Sequence, residues 1–159
     1  MNNNDILRRL RYALDISNPT MIEIFKLSGC NIEQPTLLKF MKKEEEDDFI
    51  ACSNPMLSFF LDGLIIHKRG RRDSDNGQPQ KPDAELGNNA ILKKLRIALD
   101  LKEEDMLALM QLAGVKITKS ELGALFRNKG HKNYKECGNQ FLRNFLNGLT
   151  LSNRKIAEE

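Results

Sequence analysis

The sequence predicts an all-α protein of two homologous four-helix subdomains joined by a flexible polar linker. Residues 3–69 align with residues 88–154 without a gap, and 22 of the 67 aligned pairs are identical, which indicates a tandem duplication. Within both copies the apolar residues recur at helical spacing. Residues 3–69 are termed repeat 1, residues 70–87 the linker, and residues 88–154 repeat 2.

A stripe of apolar residues predicts the first helix of each repeat. The stripes contain Ile6, Leu7, Leu10, Ala13 and Leu14 in repeat 1, and Ile91, Leu92, Leu95, Ala98 and Leu99 in repeat 2. The opposite face is basic, with Arg8, Arg9 and Arg11 answered by Lys93, Lys94 and Arg96. A solvated surface is the simpler interpretation of these charges. We expect the Asn-Asn pairs that open both helices to cap their N-termini.

The second helix is predicted to begin near residues 18 and 103. Asn18-Pro19 provides an N-cap followed by proline at the first helical position, and Glu103-Glu104-Asp105 contributes carboxylates to the corresponding turn. This helix should end at Gly29 and Gly114, because glycine readily adopts the left-handed conformation of a helix C-terminus.

A third helix follows each glycine, and in repeat 2 it starts at the capping box Thr118-Lys119-Ser120-Glu121. The succession of helix, turn and helix over residues 106–126 resembles a helix-turn-helix unit. It departs from that motif in its longer turn, and repeat 1 has Pro35 in the corresponding reading helix.

The last helix begins after Ser53-Asn54-Pro55 in repeat 1 and near Asn139 in repeat 2. Gly63 and Gly148 lie inside its apolar pattern, where glycine weakens a helix. These positions predict either a close helix crossing or a local break.

Composition and sequence motifs argue against several classes of function. The chain is 40% apolar and 30% charged with a net charge of +3, which is typical of a soluble globular protein. It has no signal peptide and no spanning segment, so we expect a cytoplasmic protein without membrane contact. The two histidines, His67 and His131, occupy unrelated repeat positions, and the three cysteines lack metal-binding spacing. We expect no catalytic residue, metal site or cofactor, and therefore no enzyme.

The loop before the last helix is where the repeats differ most. Repeat 1 has the acidic sequence KKEEEDDF at residues 42–49, which lacks the ligand pattern of a calcium loop. Repeat 2 has RNKGHKNYK at residues 127–135, where cations surround a tyrosine that could stack on a base. The candidate nucleic-acid-binding residues are Lys93, Lys94, Arg96, Arg127, Lys129, His131, Lys132, Tyr134 and Lys135. The alternative is a protein-protein interaction adaptor that binds a partner between its helices.

Four sequence features recur or stand out across the chain: the openings of the form NN-x-IL-x-x-LR-x-AL-D, the Leu-x-Gly turns at Gly29 and Gly114, the stretch GHKNYKECG at residues 130–138, and the Phe-Leu-x-Gly-Leu endings. With these features the chain resembles the YehS-like family of small bacterial proteins, in which a domain of unknown function occurs as two tandem copies. The resemblance implies the duplicated fold. It implies no activity, substrate or catalytic residue.

Overall fold

The computed structural model describes residues 1–71 and 85–158. Within these ranges all regular secondary structure is α-helical and no β-strand occurs. The chain divides into two compact units, Met1–Leu86 and Gly87–Glu159, and four of the described helices lie in each. The predicted all-α fold with two homologous helical subdomains is confirmed. The predicted linker falls mostly on residues 72–84, outside the described residues.

The helices of the two units correspond one to one. The first unit contains α1 (Asn3–Ala13), α2 (Asn18–Leu27), α3 (Gln34–Phe40) and α4 (Asn54–Arg69), and the second contains α5 (Asn88–Ala98), α6 (Glu103–Leu112), α7 (Lys119–Leu125) and α8 (Asn139–Glu158). Each helix of the second unit begins 85 positions after its counterpart. The helix ends are also 85 positions apart, except that α8 continues beyond the position equivalent to Arg69, the end of α4, to Glu158.

The ends of α2 and α6 follow the predicted signals with one shift, and α4 begins at Asn54, within the Ser53-Asn54-Pro55 segment rather than after it. Gly29 and Gly114 have φ values of 96° and 82°, in the left-handed region where only glycine is unstrained. The cap of α2 is one residue earlier than predicted, because the Ser17 hydroxyl accepts the hydrogen bond from the backbone N–H of Thr20, at 3.3 Å. Asn18 is therefore the first residue of α2 rather than its cap.

Each unit packs its apolar stripes into a core of its own. The predicted stripes of α1 and α5 are buried except for Leu14 and Leu99, which are half-buried because they follow the last helical residue. The largest buried side chains of the first unit include Phe25 and Phe60, whose ring centroids lie 5.3 Å apart.

A glycine lets the last helix of each unit cross the second helix at backbone contact. A Cβ added to Gly63 would lie 1.8 Å from the carbonyl oxygen of Ile24, and one added to Gly148 would lie 2.0 Å from that of Leu109. Both helices run unbroken through the glycine. Of the two alternatives predicted from sequence, the close crossing is therefore the one observed.

Candidate nucleic-acid interface

One side chain of α5 holds both ends of the loop between α7 and α8. The Asn89 amide nitrogen donates to the carbonyl oxygens of Leu125 and Lys135, each at 2.9 Å. The Asn89 side-chain oxygen accepts a hydrogen bond from the backbone N–H of Cys137 at 2.8 Å. The loop enclosed by these bonds, residues 127–136, is termed the basic loop. Its position relative to α5 is set by bonds to its backbone.

Repeat 1 has the same arrangement around Asn4. The Asn4 amide nitrogen donates to the carbonyl oxygens of Phe40 and Ile50 at 3.0 and 2.8 Å, and the Asn4 side-chain oxygen accepts from the Cys52 N–H at 2.9 Å. The enclosed loop, residues 42–51, is termed the acidic loop. The two sets of three hydrogen bonds are termed the asparagine clamps.

The expectation that the Asn-Asn pairs cap their helices is wrong. The N-cap of α1 is Asn2, and that of α5 is Gly87. Asn3 and Asn88 instead donate across the unit to the carbonyl oxygens of Cys52 and Cys137, at 3.0 and 3.1 Å, and to the asparagines that open α4 and α8. The signal that could have shown this is the identity of these asparagine and cysteine positions in both repeats.

Arg96 brings the middle of α5 against the start of the basic loop. Its guanidinium carbon lies 4.7 Å from the ring centroid of Phe126, the residue that precedes Arg127, in a cation-π contact. Its Nε donates to the carbonyl oxygen of Leu101 at 3.0 Å. Arg96 therefore joins the basic face of α5 to the basic loop while it also stabilises the unit.

Lys93 and Lys94 lie on different sides of α5. At about 100° per residue, Lys93 is about 60° from Arg96 around the helix axis, whereas Lys94 is about 160° away. The counterpart of Lys93 in repeat 1, Arg8, donates to the carbonyl oxygen of Lys42, where the acidic loop begins, at 2.8 Å. By analogy with Arg8, Lys93 is on the side of α5 that Arg96 occupies, whereas the inclusion of Lys94 in the same surface stays a prediction.

Lys93 also lacks the carboxylate that its counterpart has. In repeat 1, Arg8 forms an ion pair with Asp5 one turn earlier in α1. The residue at this position of α5 is Ala90, so the same ion pair cannot form, and Lys93 is exposed.

Hydrogen bonds between its own residues shape the basic loop. The Arg127 guanidinium donates to the carbonyl oxygen of Asn133 at 3.2 Å. The backbone N–H of His131 donates to the carbonyl oxygen of Asn128 at 2.8 Å. The Nδ1 atom of His131 accepts from the Asn133 N–H at 3.0 Å. This bond joins residues of the loop, so the imidazole helps to shape the turn.

The remaining candidates differ in how far they reach solvent. Lys129, Lys132 and Lys135 are exposed. Tyr134 is half-buried, as is Phe49 at the same position of repeat 1, so part of its ring packs within the loop. Six of the candidates lie on the Arg96 side of α5 or in the basic loop and are termed the basic surface: Lys93, Arg96, Arg127, Lys129, Lys132 and Lys135.

The α6–α7 pair has little in common with a DNA-reading unit beyond the order of its helices. α7 contains seven residues, which is about two turns. Its N-terminus is occupied by the capping box, in which Thr118 accepts from the Glu121 N–H at 3.0 Å and the Glu121 carboxylate accepts from the Thr118 N–H at 3.3 Å. The N-terminal residues of a reading helix contact base edges, and at this end of α7 the Glu121 carboxylate is already used in the cap, so α7 is poorly suited to major-groove reading.

The cysteines have the surroundings of structural residues. Cys52 and Cys137 are buried at equivalent positions, and burial raises the pKa of Cys52 to about 12 and that of Cys137 to about 11. Burial also raises the pKa of Cys30. A thiol with a raised pKa is a poor nucleophile at neutral pH, because the thiolate is the reactive form.

Two further features are absent from residues 1–71 and 85–158. These ranges contain no group of three or more histidine, cysteine or acidic residues that could hold a metal ion. None of the helices described there is both long and apolar enough to cross a membrane.

Comparison with known proteins identifies the family. A family described as "Protein of unknown function (DUF1456)" matches residues 3–70 and again residues 88–155, which are the two repeats. The chain belongs to this family. The chain is also similar to the Uncharacterized protein YehS of Escherichia coli (strain K12), to which it is 40% identical over 149 residues, 94% of each chain. No solved structure matches the chain.

Proposed function

We propose that the protein binds nucleic acid through the basic surface of repeat 2. The observation that supports this most is the approach of α5 to the basic loop, in which Asn89 bonds both loop ends and Arg96 lies over Phe126. On this proposal, cations from two segments distant in sequence act as one surface. Adjacent lysine and arginine side chains neutralise phosphates and release counterions, which is the main source of sequence-independent affinity.

The chemistry of this surface favours contacts with the sugar-phosphate backbone. Its exposed members are lysines, which bind phosphates as point charges, and Arg96 and Arg127 already bond within the unit. Base-edge readout requires amide or guanidinium groups that project from an element in a groove, and α7 does not suit that role. We therefore expect binding with little sequence preference.

Fluorescence anisotropy tests this proposal. The intact protein is titrated into labelled single-stranded DNA, single-stranded RNA and duplex DNA of mixed sequence at 50 and 200 mM salt. Six phosphate contacts correspond to a loss of affinity of up to about a thousandfold over this range. The absence of binding at 50 mM salt would refute the proposal.

A matched pair of triple variants locates the site. Replacing Lys129, Lys132 and Lys135 with glutamine should weaken binding at least tenfold. Replacing three exposed lysines of the same repeat outside the basic surface with glutamine removes the same charge and should weaken binding less than threefold. These control residues are Lys102, Lys116 and Lys119. Equal losses in both variants would mean that net charge, rather than this surface, attracts the nucleic acid.

The second candidate, a protein-interaction adaptor, is supported by two apolar residues of repeat 1. Leu38 and Ile50 are 44% and 40% exposed, and repeat 2 has Gly123 and Lys135 at the same positions. Folding of the repeat therefore does not require apolar side chains there. A pull-down from nuclease-treated lysate should recover a stoichiometric protein that the double variant Leu38→Gly/Ile50→Lys loses. Recovery that depends on nucleic acid would contradict the adaptor proposal.

A further inference from the structure

We infer that the nucleic-acid site is confined to repeat 2, and that the charge of one exchangeable loop decides which repeat binds. This inference rests on the proposed function and goes beyond it. It assigns one binding site to a chain with two homologous repeats, and it assigns the choice between them to the segments inside the two asparagine clamps.

The frame around the two loops is the same. Each loop has ten residues and is held by three hydrogen bonds from an asparagine, and a backbone bond closes each base. That bond runs from the Ile50 N–H to the Lys39 carbonyl oxygen at 3.4 Å in repeat 1, and from the Lys135 N–H to the Ala124 carbonyl oxygen at 3.0 Å in repeat 2. On the loop side these bonds involve backbone atoms only. None of these bonds therefore depends on the identity of a loop side chain.

The side chains inside that frame are entirely different. None of the ten aligned positions of residues 42–51 and 127–136 has the same residue in both repeats. The acidic loop has two lysines and five carboxylates, whereas the basic loop has four lysine or arginine residues and one glutamate. The loop charge changes from −3 to +3 on an otherwise equivalent frame.

Two cations of repeat 1 around this loop are already engaged. The Lys42 ammonium donates to the carbonyl oxygen of Asp47 at 2.8 Å, and Arg8 bonds both Asp5 and the carbonyl oxygen of Lys42. The five carboxylates at residues 44–48 are all exposed. Because like charges repel, a polyanion that approaches repeat 1 meets carboxylates where in repeat 2 it meets lysines.

The experiment exchanges the loops in the full-length chain. Chimera A replaces residues 127–136 with the sequence of 42–51, chimera B makes the reverse replacement, and the double swap carries both changes. The double swap has the composition and net charge of the natural chain, so it separates loop position from total charge. Affinity and stoichiometry are measured with a labelled short single-stranded DNA of mixed sequence, and circular dichroism monitors folding.

The natural chain should bind one oligonucleotide. Chimera A should lose at least tenfold in affinity. The slope of its log binding constant against log salt concentration should become less negative by about 0.7 for each lost phosphate contact. Chimera B should bind two oligonucleotides per chain. The double swap should bind one, with affinity within about threefold of the natural chain.

Each contrary outcome has a distinct meaning. If the natural chain does not bind, the proposed function fails and the inference fails with it. If the natural chain binds and chimera A binds equally well, or chimera B gains no second site, the inference alone is overturned. If a chimera does not fold, charge reversals at two equivalent positions carry the test: Lys129→Glu/Lys132→Asp should abolish binding by repeat 2, and Glu44→Lys/Asp47→Lys should add a site to repeat 1. Unchanged binding by these variants also overturns the inference.

Discussion

The acidic and basic loops differ at every position, yet their surroundings are nearly the same. Asn4 and Asn89 make corresponding hydrogen bonds, and Cys52 and Cys137 donate the same N–H to them. The asparagines and cysteines of the clamps are identical in both repeats. Residues that determine the fold are thus separate from residues that determine surface charge, so one loop can change its charge without loss of the frame.

The largest predicted effect is a loss of stability at the glycine where α4 crosses α2 and where α8 crosses α6. It tests whether the two repeats are structurally equivalent. We expect Gly63→Ala and Gly148→Ala each to destabilise the protein by about 3 kcal/mol or more, because the added methyl group overlaps a backbone carbonyl that cannot rotate away. Urea unfolding followed by circular dichroism measures both variants. Since the two overlaps are nearly equal, at 1.8 and 2.0 Å, the two losses should also be nearly equal.

Gly123 provides the control for this prediction. It lies within α7, and nothing lies within 4 Å of an added Cβ. Gly123→Ala should therefore raise stability by up to about 1 kcal/mol through helix propensity. If Gly148→Ala proved as stable as Gly123→Ala, the close crossing of α6 and α8 would be contradicted.

The asparagine clamps give the next largest effect. Alanine in place of Asn4 leaves two carbonyl groups and one N–H without their partners, and we expect a loss of about 3 kcal/mol. Asn89→Ala should lower the free energy of unfolding by about 2 kcal/mol. The loss is smaller because Asn89 is half-buried, so that water can replace some of the lost hydrogen bonds, whereas Asn4 is only 1% exposed. Urea unfolding of the two variants measures the difference between them.

A local measurement ties these losses to the clamps. Amide hydrogen exchange of the Cys52 N–H should accelerate in Asn4→Ala, and that of the Cys137 N–H in Asn89→Ala, because each N–H donates to the replaced side chain. Exchange that stays as slow as in the natural chain would show that the asparagines do not hold the loops.

Helical spacing was enough to predict the fold from the sequence. The alignment of the repeats also located helix starts at residues 18 and 103, because proline and carboxylates favour the first turn, and helix ends at Gly29 and Gly114, where the backbone needs a positive φ. These predictions succeeded because they depend on residues that are adjacent in the chain.

The clamps and the composition of the basic surface required contacts between distant segments. Asn89 follows the start of a helix and so suggests a cap, but its partners lie 36 to 48 positions away. Lys93 and Lys94 are both lysines, and what separates them is their angle from Arg96 around the α5 axis. Histidine is a residue type that can bind phosphate, yet the Nδ1 atom of His131 accepts a hydrogen bond from the backbone N–H of Asn133. The clamp bonds, which join residues distant in sequence, are not a property of local sequence.

The smallest predicted effect concerns the thiols. Cys30 is half-buried and repeat 2 has Val115 at the same position, whereas Cys52 and Cys137 are buried equivalents. With a thiol reagent at pH 8, one thiol should react quickly and two slowly, and all three should react quickly in urea. Cys30→Val is the matched control, because it copies the residue of the other repeat and should remove only the fast phase. A fast phase that survives this substitution would contradict the assignment.

The same burial predicts how stability depends on pH. An unfolded cysteine ionises near pH 8.5, whereas burial raises the pKa of Cys52 to about 12 and that of Cys137 to about 11 in the folded chain. Between about pH 9 and pH 11 the unfolded state therefore loses thiol protons that the folded state retains, so these thiols favour unfolding increasingly as pH rises. Urea midpoints measured from pH 7 to pH 10.5 should fall less steeply in Cys52→Ala/Cys137→Ala than in the natural chain. Parallel pH profiles would mean that both thiols ionise as readily in the folded protein as in the unfolded chain.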